Sequence, residues 1–183
     1  MPAYESYAIF GEFTDKNLGT EEMTAGLANR VFNRTEASSE DGAIIVVPNS
    51  NFERIRLKPG VYRITATSFV TMLSAGTPPV PPVATQYLSD VYPGYCLLYD
   101  ANDPPTEEDM SKMICPGTMG TAYDSTPSNL ECVLKVEGKP MEISLGHQCS
   151  YDNPKGDLRP KVYLRIGGTD YHVCARIAIY KIA

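Results

Sequence analysis

The stretch Tyr171-His-Val-Cys-Ala-Arg-Ile-Ala-Ile-Tyr-Lys-Ile182 sorts into two faces at a spacing of two. Val173, Ala175, Ile177 and Ile179 fall on one side; His172, Cys174, Arg176, Ala178 and Tyr180 fall on the other. A helix would mix these sets, whereas a strand keeps them apart. Working outward, Met141–Cys149 alternates in the same way, with Met141, Ile143, Leu145, His147 and Cys149 sharing a face. Leu130–Val136 precedes it, and Glu137-Gly-Lys-Pro140 between them reads as a tight hairpin turn, because Gly permits positive φ and Pro ends the pairing. Residues 57–68 read as a Pro-Gly turn followed by a strand, and further strands are expected over 5–13, 28–35, 44–47, 52–57, 95–99 and 161–166. Thr106–Met113, with a Thr N-cap and an acidic first turn, reads as one short surface helix. About nine to eleven short strands divided by turn residues describe a sandwich or a barrel.

The chain has 183 residues, 43% hydrophobic and 21% charged, which fits one domain over 1–183 with a real core. Two segments break the strand rhythm, at about 75–94, which holds Pro-Pro-Val-Pro-Pro, and at 100–112, which is acidic. Both read as surface loops inserted into the domain. The net charge of −6 argues against a nucleic-acid partner, since backbone binding needs an excess of Lys and Arg. The longest apolar run, Ala43–Val47, is too short to span a bilayer, so no membrane insertion is expected. Five cysteines is an odd number without CxxC spacing, and the N-terminus shows neither a basic start nor an apolar stretch. Both features lead us to expect reduced thiols in a chain made in a cytoplasm.

Catalytic chemistry finds little support. There are two histidines and no Gly-x-Ser-x-Gly elbow, so no enzyme, catalytic residue or cofactor is expected. His147-Gln-Cys149 and His172-Val-Cys174 form two His-x-Cys pairs, and two His with two Cys would suit tetrahedral zinc. Ile143 and Leu145, however, put the first pair on the core face, while Val173, Ala175 and Ile177 leave the second pair on the opposite face. No metal is therefore expected, these four being the candidate ligands. The two loops are the candidate binding site. Tyr87 and Tyr92 would anchor a partner, and Asp103, Glu107 and Glu108 would bind a cation or steer a basic partner.

Leu57-Lys-Pro-Gly-Val-Tyr-Arg-Ile64, Tyr95-Cys-Leu-Leu-Tyr-Asp100, the pair 132–136 with 142–149, and Ala175–Ile182 together resemble the TNF-like jelly roll of the complement globular head type, in the version found in bacteriophage structural proteins. The resemblance implies an all-β, double-sheet jelly-roll sandwich of about ten antiparallel strands that forms a homotrimer. Cys174, Arg176, Ala178 and Tyr180, on the non-core face of the last strand, would then line the trimer interface. It also implies a non-enzymatic virion protein, a capsid decoration or tail-tip module, made in the host cytoplasm and partnered by other virion proteins. The alternative is a lectin-like module that recognises a host glycan or receptor.

Overall fold

The C-terminal stretch forms β13 (Tyr171–Lys181), and it takes the centre of a five-stranded sheet. Its inward residues Val173, Ala175, Ile177 and Ile179 are all buried, as the alternation requires. The computed structural model describes residues 4–15, 26–69, 71–72, 94–106, 109–120, 127–149, 160–161 and 171–183. The other strands are β1 (Ser6–Asp15), β2 (Gly26–Asn29), β3 (Arg34–Ser38), β4 (Ile44–Val46), β5 (Ile55–Leu57), β6 (Gly60–Ser68), β7 (Thr71–Met72), β8 (Gly94–Asp100), β9 (Met113–Gly120), β10 (Ser128–Val136), β11 (Met141–Cys149) and β12 (Pro160–Lys161). One sheet runs β10-β6-β13-β1-β3. The other runs β4-β5-β11-β8-β9, with β2 added to β11 beyond β5. All pairs are antiparallel, and β7 with β12 makes a separate small ribbon.

The core lies between the two sheets. Phe10, Tyr62, Ile64 and Ile177 meet Ile55, Leu57, Leu98, Ile143 and Leu145 across it. Each fully buried aliphatic side chain of this kind stabilises the fold by roughly 1.5–3 kcal/mol. The hairpin expected between Leu130–Val136 and Met141–Cys149 does not form: the turn is there, with Gly138 at φ +69, a conformation that favours glycine, but β10 pairs with β6 and β11 with β8, so the turn carries the chain from one sheet to the other.

Three further sequence expectations change. Residues 28–35 are not one strand: β2 belongs to one sheet and β3 to the other, and residues 30–33 cross between them. Arg30 N–H donates to the Leu145 carbonyl (2.8 Å) and Phe32 N–H to the Phe52 carbonyl (2.9 Å), which hold the crossing in place. The helix expected over 106–113 is instead a 3-10 turn, Met110–Lys112. Thr106 Oγ1 does accept from Asp109 N–H (3.1 Å) as a cap would, but the Asp109 carboxylate then accepts from Ser111 N–H (3.1 Å) and the following apolar residues enter β9. Its sequence does not read as a strand because it contains Pro116, which an edge strand tolerates. Finally, the strand expected from 52 begins only at Ile55, because Asn51 and Phe52 both adopt left-handed backbone (φ 55 and 60) and close a turn. Of the strand expected over 161–166, only residue 161 lies within the described residues.

Candidate functional site

The residue types capable of chemistry gather inside the sandwich. Arg30, Ser68 and His147 are all at most 2% exposed. Arg30 Nε donates to Ser68 Oγ (2.8 Å), and Arg30 Nη2 donates to the Phe69 carbonyl (2.6 Å). Its Nη1 approaches the Glu12 carboxylate at 3.5 Å. Ser68 Oγ lies 2.8 Å from His147 Nδ1. Nε2 has no hydrogen-bond partner and lies against Gly94, where an added Cβ would stand 2.5 Å away. Burial, and then the charge of Arg30, push the imidazole down to about 3. The histidine is therefore neutral at neutral pH, a poor base, and sealed from substrate. The geometry of a Ser–His pair is present, but its work is to bridge β6 of one sheet to β11 of the other. The core-face position inferred for His147 holds. Arg30 was missed by sequence reading, although Ala28, Arg30 and Phe32 recur at a spacing of two, which is the signal of an inward arginine.

The outward residues make a different arrangement. Tyr7 lies opposite Tyr180, Tyr180 opposite Arg63, and Arg63 opposite Val133. These four residues form one row across β1, β13, β6 and β10, about 14 Å wide at the usual strand spacing. Tyr4 stacks on Tyr180 with ring centroids 4.6 Å apart, and its hydroxyl bonds the Arg63 guanidinium. Tyr7 is 39% exposed and Val133 66%. The next row holds Ile9, Ala178, Thr65 and Glu131, of which Ala178 and Thr65 are small. Arg176 clasps Glu36 with two hydrogen bonds (2.7 and 2.6 Å). Tyr180, Ala178 and Arg176, singled out from sequence, thus lie on this face. Cys174 does not join them: it is fully buried within the single chain, where Phe69 N–H donates to its carbonyl (2.9 Å). That bond continues the β6–β13 ladder by one rung beyond Ser68 and Ala175.

Among the described residues β3 and β4 are the edge strands of the two sheets on one side of the sandwich. A cavity of about 380 Å³ enters there, floored by Phe10, Phe32 and Ile44 and flanked by Phe52. Asn33, Thr35, Ser38 and Glu40 supply polar groups around it.

The remaining sequence candidates do not converge. Asp103 is exposed and paired with Lys112 Nζ at 2.6 Å. Tyr87, Tyr92, Glu107 and Glu108 lie outside the described residues, as do the side chains of Cys149 and His172. Among the described residues no three His, Cys, Asp or Glu side chains come together as metal ligands.

Two antiparallel sheets in this strand order define a TNF-like jelly roll, as the resemblance implies. Among solved structures, the chain is similar to murine APRIL, with a TM-score of 0.50, 9% identity, and 96% of this chain and 98% of that one covered. The globular domain of zebrafish complement 1qA also matches (TM-score 0.47, 8% identity, 98% of each chain), as does Eiger TNF from S. frugiperda (TM-score 0.48, 11% identity, 97% and 92%). No family profile and no curated protein matches the sequence.

Proposed function

We propose that this chain is a non-enzymatic, self-associating jelly-roll module. It forms a homotrimer through the outer face of its five-stranded sheet and serves as a phage virion structural protein, in capsid decoration or at a tail tip. The observation that carries self-association is the Tyr7–Tyr180–Arg63–Val133 row with Tyr4 stacked on it. Tyr and Arg are the side chains enriched where protein surfaces meet, because they combine flat contact area with directional polar groups. The small Ala178 and Thr65 beside the row allow a neighbouring backbone to come close. The non-enzymatic reading rests on the sealing of Arg30, Ser68 and His147 in the core. The number three and the virion setting come from the sequence resemblance. Light scattering on the eluting wild-type chain and on Tyr180→Glu tests the association: three chain masses falling to one is expected, and an unchanged mass in the variant contradicts the face assigned. Mass spectrometry of purified particles tests the setting. Recovery of the chain in fixed ratio to the capsid protein is expected, and its absence from particles overturns the virion role.

A second reading, a lectin-like module, is favoured by the cavity between β3 and β4. An exposed aromatic ring beside hydroxyl, amide and carboxylate groups is the surface a sugar ring takes, with its C–H face on the aromatic and its hydroxyls on the rim. Glycan binding that Phe52→Ala abolishes would establish it. Binding that survives that change would place the site elsewhere.

A further inference from the structure

β9 and β10 are the edge strands of opposite sheets on the side away from the cavity, and they lie against each other. They run antiparallel there. Asn129 N–H donates to Thr118 Oγ1 (3.1 Å), and Cys115 Sγ lies 3.7 Å from the Glu131 carbonyl oxygen. This places the Cys115 thiol beside Cys132, the residue after Glu131. Both cysteines are half-buried and both are free thiols. The Cys132 thiol hydrogen-bonds the Cys115 sulfur; burial first, and then this neighbour, push it up to about 12.

We propose that Cys115 and Cys132 are a redox-active dithiol that closes into a disulfide and stitches the two sheets together at their β9/β10 edge. The oxidant is a small disulfide of the glutathione class. The Cys115 thiolate attacks one sulfur of that disulfide, forming a mixed disulfide on Cys115 and releasing one small thiol. Cys132 then attacks the Cys115 sulfur, gives up its proton, and releases the second small thiol. Two protein thiols are oxidised, one small disulfide is reduced to two thiols, and both protein hydrogens leave with them. Burial holds Cys132 protonated, so Cys115 is the attacking thiol and Cys132 the resolving one. Half-burial at a strand edge, rather than in the core, is what leaves the pair open to a small reagent. The adjacent Cys96 differs: it is fully buried, its backbone N–H bonds Ser128 Oγ, and it has no such access.

The test is incubation of the intact native chain with oxidised glutathione at mildly alkaline pH, followed by intact mass and peptide mapping. Wild type should lose two hydrogens and yield a Cys115–Cys132 cross-linked peptide. Its Tm should rise by on the order of 5–10 °C, since a short loop of chain is closed in the unfolded state. The Cys132→Ser variant should stop at a glutathione adduct on Cys115. A wild-type chain that accumulates that adduct, links other cysteines, or stays reduced under the same oxidant overturns the proposal. An oxidised chain whose Tm does not rise overturns the stitching role.

Discussion

Arg30 and Arg63 carry the same guanidinium, yet one is 2% exposed beneath the crossing between the sheets and the other 48% exposed on the outer face of β6. Arg30 spends its donors on fixed acceptors inside the protein: Ser68 Oγ, the Phe69 carbonyl and Glu12. Arg63 pairs with Glu131 and lies in a row with Tyr7, Tyr180 and Val133 that faces outward. The difference teaches where function resides in this fold. The guanidinium turned inward is held by fixed acceptors within the chain, whereas the one turned outward stands on an exposed face.

Breaking the inner set should have the largest effect. Arg30→Met keeps the length of the side chain but strands Ser68, the Phe69 carbonyl and Glu12, so urea denaturation should show a loss on the order of 3–5 kcal/mol. A loss under about 1 kcal/mol would mean that the network contributes nothing beyond packing.

His147 sharpens the same contrast through pH. Its folded value, about 3, lies below the ordinary 6.5, so the unfolded chain takes up the proton first. Its contribution to stability is full above pH 6.5 and is lost as pH falls toward 3, at no more than about 1.4 kcal/mol per pH unit. Glu142 and Asp41 titrate below their ordinary carboxylate range, held there by Arg56 and by Ser6 respectively, so neither carboxylate contributes to the slope between pH 6.5 and 5. His147→Gln should flatten stability across that window. An equally steep decline in the variant would assign the slope to other groups.

A smaller effect is expected at the β3/β4 edge. Phe52 holds left-handed backbone at φ 60, which costs a bulky residue strain that glycine does not bear. Phe52→Gly should therefore leave stability within about 1 kcal/mol despite the lost ring. A larger loss, read from the denaturation midpoint, would show that the ring packs on the cavity floor rather than standing free beside it. The smallest effect belongs to the outer row. Arg63→Ala should leave the monomer's denaturation midpoint unmoved while weakening association, and a shifted midpoint would make the row structural after all.

Much of the fold was legible because alternation is local. β6, β10, β11 and β13 each carry apolar residues at every second position, and the Glu137–Pro140 turn carries its glycine. The same alternation placed Arg176, Ala178 and Tyr180 on the outward face. What local pattern does not hold is register. Nothing near Tyr180 in sequence says that Tyr7, Arg63 and Val133 lie in its row, since strand partners are fixed by the whole sandwich. Ser68 and His147 are 79 residues apart and meet only because β6 and β11 face each other across the core. β9 escaped notice because Pro116 and Gly117 disguise an edge strand, and with it went the proximity of Cys115 to Cys132. Cys174 was misassigned because alternation gives direction, not cover: it points away from the core and is buried all the same.

The central claim is that the outer face of the five-stranded sheet joins copies of this chain. Sedimentation equilibrium of the wild-type chain over a range of micromolar concentrations tests it most directly. A single species of three chain masses, reverting to one chain mass when Tyr180 is replaced by Glu, is the result expected. A wild-type chain that sediments as a monomer throughout that range would contradict it.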